Sequence, residues 1–187
     1  MTSSDELDDA QLLTGLQKGG RAAELVMEQL MVLCERPLVN FLGRMTGSRV
    51  TGEDLAQEVL IRLLREAPEM EASGSVRGWI WTVAANLARD HLRRRRFELV
   101  TGDFNLLPAP EPAPTGLRDR VQGVLDLLTE GDRLCLVLRD MEGMAYEALA
   151  GMLGISEVAA RVRVHRARER FRELYLAQKG EAHASAG

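Results

Sequence analysis

The sequence predicts an all-α protein built as two small helical domains joined by a Pro-rich linker. Composition is the first reason: 45% of the 187 residues are hydrophobic yet only 4% are aromatic, and a core of Leu, Ala, Val and Met favours helix packing over sheet packing. Periodicity is the second, because apolar residues in the leucine-rich stretches recur at helical spacing. Third, within residues 97–116, Pro108, Pro110, Pro112 and Pro114 alternate with small or acidic residues, which neither a helix interior nor a central strand tolerates. That segment is expected to run extended, as a semi-rigid spacer. The boundaries are then 1–96 for the first domain, 97–116 for the linker, 117–178 for the second domain and 179–187 for a disordered tail.

The chain opens on "MTSSDELDDAQLL", which is acidic and lacks the basic start and apolar run of a secretory signal. No stretch of about 18 apolar residues follows, so a cytoplasmic protein without membrane insertion is expected. Cys34 and Cys135 have no Cys or His neighbours at metal spacing and read as reduced, buried thiols.

In the first domain, "GEDLAQEVLIRLLRE", residues 52–66, places Leu55, Val59, Leu60 and Leu63 toward a core and Asp54, Gln57, Glu58 and Arg62 on the opposite side. Taken alone, that polar side is a solvated helix face. Next, "SVRGWIWTVAANLARDHLRRRR", residues 75–96, buries Ile80, Val83, Ala84, Leu87 and His91 and leaves Thr82, Asn86, Arg89, Asp90 and Arg93 outside. The run Arg93, Arg94, Arg95, Arg96 exceeds what the helix dipole needs, and phosphate contact is the simpler explanation. Trp79 and Trp81 fit either a core or a platform for unpaired bases. His91 reads as core, since no ligand stands at metal spacing around it.

The second domain begins with "GLRDRVQGVLDLL" and "TEGDRLCLVLRDMEG", where Thr129 and Asp132 resemble a capping box. Residues 145–168, "AYEALAGMLGISEVAARVRVHRAR", then carry the punctuation of two helices meeting at a corner. Gly154 ends the first helix in the left-handed conformation and Ser156 caps the second. Ala150 lets the two cross closely, with Leu149, Leu153, Ile155 and Ala160 between them, which is helix-turn-helix grammar. On the second helix Ala160, Val164, Ala167 and Phe171 form an apolar stripe. Arg161, His165, Arg168 and Arg172 repeat its spacing one residue later, thickened by Arg163, Arg166 and Arg170. One face packs inward and the other suits phosphate and bases; a solvated basic face is the plainer alternative.

Together "DLAQEVLIRL", "VRGWIWTVAANLARDHLRRRR" and, beyond the linker, "LTEGDRLCLVLRDMEGMAYEALAGMLGISEVAARVRVHRARERFREL" resemble the extracytoplasmic-function sigma factors of bacterial RNA polymerase, over roughly residues 20–176. The resemblance implies sigma region 2 in the first domain, sigma region 4 in the second, and a linker that enters the polymerase. It implies core RNA polymerase as a partner, its largest subunit's coiled coil meeting Asp54, Gln57 and Glu58 and its flap also contacted. Promoter DNA is the other implied partner. Trp79, Asn86, Asp90 and Arg93, with Arg94 of the basic run, would meet the minus-ten element. Ser156, Glu157, Arg161, Arg163, His165, Arg166 and Arg168 would meet the minus-thirty-five element. The loop "PEMEASGS", residues 68–75, lies where the family captures a flipped-out base, and an anti-sigma protein is implied as a restraining partner. The chain departs from the family in having Leu60 where phenylalanine is common, and Ala159 and Ala160 where threonine and valine are common. These departures bear on sequence preference more than on fold.

The histidines, His91, His165 and His183, are scattered, and no phosphate loop, nucleophile elbow or metal cluster occurs, so no enzyme, catalytic residue, metal or cofactor is predicted. The competing reading is a stand-alone helix-turn-helix regulator that does not bind the polymerase core, which leaves the Asp54–Glu58 face, the tryptophan helix and the linker without a role. The net charge of -4 suits a subunit that meets promoters only when held by polymerase.

Overall fold

The computed structural model describes residues 8–71, 75–101 and 116–184. Among them the chain forms eight α-helices and no strand. α1 (Asp9–Lys18) starts at a reciprocal capping box between Asp8 and Gln11 and buries Leu12, Leu13 and Leu16. α2 (Gly20–Thr46) is the central element, burying Leu30, Leu38, Phe41, Leu42 and Met45. It carries Pro37 inside, which removes one ladder hydrogen bond, and it stops at Gly47, whose φ of 77° is left-handed.

Ser48 then caps α3 (Arg49–Glu66) by accepting from the Thr51 N–H, and α3 folds back along α2. The two backbones meet at glycines: a Cβ on Gly52 would lie 2.6 Å from the Gly43 nitrogen and 2.9 Å from the Val39 carbonyl oxygen. α4 (Val76–Thr101) closes the first unit, with Val76, Ile80, Ala84, Ala85, Leu87 and Ala88 buried. The predicted stripe is shifted here, because small alanines let α4 approach closely while Val83 and His91 remain only half-buried.

In the second unit α5 (Leu117–Leu127) and α6 (Glu130–Leu136) are joined at Thr129, whose hydroxyl accepts from the Asp132 N–H and donates to its carboxylate. A π-helical turn, Val137–Met141, continues α6. α7 (Tyr146–Leu153) and α8 (Glu157–Ala184) follow.

Two boundaries differ from expectation. α4 runs to Thr101, five residues past the expected end of the first domain at 96, because residues 97–101 contain no proline or glycine to break the helix. α8 extends to Ala184, through most of the segment 179–187 expected to be a disordered tail. Lys179, Glu181, Ala182 and Ala184 are good helix formers, and one Gly180 costs only about 1 kcal/mol. The four prolines of the expected spacer lie outside the described residues. Cys135 is buried, which pushes its thiol pKa up, whereas Cys34, expected to be buried, is half-buried.

The two units share a seam at the carboxyl end of α2, where the last carbonyls of a helix need donors. Arg133 of α6, 7% exposed, donates to the Met45 carbonyl at 2.6 Å and pairs with Asp126 at 3.1 Å. Gln122 of α5 donates to the Arg44 carbonyl at 3.1 Å. Arg95 of α4 reaches the Thr46 carbonyl at 3.4 Å. Cations there also complement the negative end of the α2 dipole.

Candidate functional site

Three surfaces hold the residues singled out from the sequence. On α3, Asp54 and Gln57 are exposed, and Glu58 is half-buried and pairs with Arg62 at 2.6 Å. Val50, Ile61 and Leu64 are also exposed, at 69%, 58% and 48%. With Asp54 and Gln57 they continue one stripe at i, i+4, i+7, i+11 and i+14, a spacing the sequence carries plainly once the stripe is followed in both directions. Leu60 points inward. Gln57 also lines a cleft of about 1220 Å³ that runs to the seam between the units, where Arg44, Arg118 and Glu142 lie.

The second surface is the outer side of α4. Asn86 is exposed and accepts from Arg89 at 2.9 Å, and Asp90 is exposed and pairs with Arg93 at 3.0 Å. Each side chain is thereby held by an arginine one turn on. Arg94 is exposed. Trp79 and Trp81 are both half-buried against the core, Trp81 edge-on to Phe41 at 5.5 Å between centroids. Arg89 also faces Glu130 of the second unit at 3.5 Å, so an acidic residue stands against this surface.

α1 orients α4 and its entry, a part that sequence reasoning missed. Asp9 accepts from the Ser75 hydroxyl at 2.7 Å and from the Arg77 N–H at 3.2 Å, capping α4 from another helix. Gln17 donates to the Ala67 and Met70 carbonyls. Residues 72–74 of the expected base-capturing loop lie outside the described residues.

The third surface is the α7–α8 pair, built as its sequence predicts. Gly154 has φ 63°, and its N–H closes α7 on Ala150 and Gly151. Ser156 accepts from the Ala159 N–H at 3.2 Å. Ala160, Val164 and Ala167 are fully buried, while Arg161, Arg163, His165, Arg166 and Arg168 are exposed, with Ser156 and Glu157 at the leading end.

The basic residues are not equally placed. Arg161 gives its Nε and Nη2 to one Glu157 oxygen, at 3.2 and 2.6 Å. His165 lies 3.6 Å from Glu169. Arg168 grips both oxygens of Asp140, one at 2.9 Å, and that hydrogen bonding raises its pKa further. Asp140 gave no signal in the sequence, since it lies 28 residues away.

Residues 30–98 match the pattern of Sigma-70 region 2, and residues 118–171 match Sigma-70, region 4. The chain is 33% identical over 152 residues to the ECF RNA polymerase sigma factor SigE of Mycolicibacterium smegmatis, covering 76% of this chain and 59% of that protein. It is 34% identical over 139 residues to the RNA polymerase sigma factor CarQ of Myxococcus xanthus, covering 72% of this chain and 80% of CarQ. Among solved structures, the sigma factor RpoE of Bartonella quintana in complex with the anti-sigma factor NepR superposes with a TM-score of 0.64 at 25% identity, over 79% of this chain and 94% of RpoE. CnrH, in complex with the cytosolic domain of CnrY, shares the fold with a TM-score of 0.69 at 22% identity, over 90% of this chain and 97% of CnrH.

Proposed function

Because this chain belongs to the sigma-70 family, among the extracytoplasmic-function RNA polymerase sigma factors, we propose that it binds core RNA polymerase in the cytoplasm and directs it to specific promoters. The observation that carries this reading is the order of surfaces along one chain: an exposed acidic and apolar face on α3, an arginine-braced face on α4, and a capped helix-turn-helix with a basic face.

Asp54, Gln57 and Glu58 dock on the coiled coil of the largest polymerase subunit, with Ile61 and Leu64 extending the contact, and the second unit reaches the flap. Trp79, Asn86, Asp90, Arg93 and Arg94 meet the minus-ten element. Extruding a base costs a few kcal/mol, and contacts to the opened strand offset it without a nucleotide-driven step. Ser156, Glu157, Arg161, Arg163, His165, Arg166 and Arg168 meet the minus-thirty-five element, where leading residues of a recognition helix face base edges and later ones phosphate. RpoE is held by an anti-sigma factor, and a restraining protein of that class is the partner proposed for this chain in its inactive state.

The docking assignment is tested by replacing Asp54, Gln57 and Glu58 together with alanine. These residues lie away from the α3 core face, so helix content should be unchanged while affinity for core polymerase falls by at least tenfold, since a few interface residues carry most binding energy. Unaltered core binding in a titration contradicts the assignment. A wild-type chain that binds promoter fragments tightly by itself but ignores the core is a stand-alone regulator.

A further inference from the structure

We propose that Tyr146 is the positioning residue that orients Arg161 for reading base edges, an assignment that rests on the minus-thirty-five role proposed above for α8. Tyr146 is the first residue of α7 and is half-buried, so it belongs to the supporting helix and not to the one that enters the groove. Two guanidinium groups lie over its ring, those of Arg161 and Arg139, each with its central carbon 4.4 Å from the ring centroid. Arg139 comes from the π-helical turn and is fixed in turn by donating to the Met144 carbonyl at 2.7 Å.

Arg161 is therefore restrained in two independent ways. Glu157 takes the Nε–Nη2 edge and sets the rotation of the guanidinium within its plane. The Tyr146 ring holds the group from a second direction, its central carbon 4.4 Å from the ring centroid, because a guanidinium is drawn to an aromatic face. What remains available is the edge formed by Nη1 and the second Nη2 hydrogen, a fork suited to two acceptors on one base. A side chain held this way loses little rotamer freedom on binding, and it rejects a base whose acceptors are displaced.

Two arginines on one ring repel each other, and Glu157 offsets the Arg161 charge by pairing with it directly, while Arg139 is held by the Met144 carbonyl. Asp140 grips Arg168. The fully buried residues of α7 are Leu149 and Ala150, and the half-buried Tyr146 ring packs against the same core, so folding is checked separately in the test.

The test measures holoenzyme binding to a cognate promoter and to one with a scrambled minus-thirty-five element, across a salt series. Tyr146→Leu should lower the cognate-to-scrambled ratio about fivefold, the size of a modest cation–π contact, while leaving the salt slope unchanged. Tyr146→Phe, which keeps the ring, should retain the ratio. In an Arg161→Ala background the leucine variant should lose no more than Tyr146→Phe, which likewise gives up the hydroxyl's interaction with Arg168, a coupling that a merely structural role would not produce. Thermal melts check folding, and Tyr146→Gln replaces the leucine variant should that one unfold. An unchanged ratio in the leucine or glutamine variant, or the same loss with and without Arg161, overturns the assignment. A wild-type holoenzyme that shows no preference between the promoters contradicts the reading of α8 itself, and this assignment with it.

Discussion

His91 shows how one side chain on α4 records its surroundings. It is half-buried beside the basic run that closes the helix, and burial first, then the Arg94 and Arg95 charges, hold its pKa below the ordinary value. The unfolded chain therefore binds the proton more tightly than the folded one. A depressed pKa of this kind contributes stability that is complete above the ordinary value near about 6.5 and is lost as pH falls through the folded value. Urea titrations between pH 7 and pH 5 should show the wild type losing stability relative to His91→Gln, and parallel curves contradict this. The sequence overstated the burial of His91, because a stripe drawn at helical spacing does not reveal that Ala85 and Ala88 occupy the closest approach. Tyr146 was not legible at all. Its two arginines come from other elements, and nothing in the local pattern distinguishes it from a core tyrosine.

Helices and their caps were the most legible level. Gly154 and Ser156 set the α7–α8 corner through contacts within five residues, so the helix-turn-helix could be read directly. α1 illustrates the opposite case, since Asp9 caps α4 across 66 and 68 positions and Gln17 reaches 50 and 53 residues along the chain. The α2–α3 crossing is likewise non-local. Gly52 touches Gly43 backbone to backbone, and an added Cβ would lie 2.6 Å from that backbone nitrogen. Gly52→Ala should therefore destabilise the first unit by about 1–3 kcal/mol as the helices are forced apart, despite alanine's better helix propensity. An equal or higher unfolding midpoint contradicts that crossing. Gly123→Ala on α5, whose nearest atom to an added Cβ is a Gln178 side-chain nitrogen at 3.8 Å, provides the control.

At the scale of the molecule, the seam decides what the free protein can do. α4 and α7 are in contact here, whereas promoter elements named ten and thirty-five bases upstream lie about 25 base pairs apart, about 85 Å along the duplex. On the function proposed above, the units must separate to occupy both. Arg133 ties them together most directly: it is buried, and its Nη1 donates to the Met45 carbonyl 88 residues away. Such a bond was invisible in a sequence where Arg133 sits in the first turns of an ordinary capped helix. Arg133→Ala should loosen the seam and raise the radius of gyration by solution scattering above the roughly 16 Å of a compact chain of this length. A wild-type value in the variant contradicts the role of Arg133. Glu130, which faces Arg89 across the same seam, would leave the surface proposed for the minus-ten element as the units part.

The most direct test of the account is run-off transcription with core RNA polymerase and this protein on genomic fragments, with the start sites mapped. A sigma factor gives discrete transcripts that need both the core and the added chain, and permanganate-reactive thymines appear at the minus-ten region of the same promoters. Substituting Asn86 or Asp90 with alanine should then weaken opening while core binding is retained. Transcripts that are absent, or identical with and without the protein while it binds those fragments alone, would contradict it.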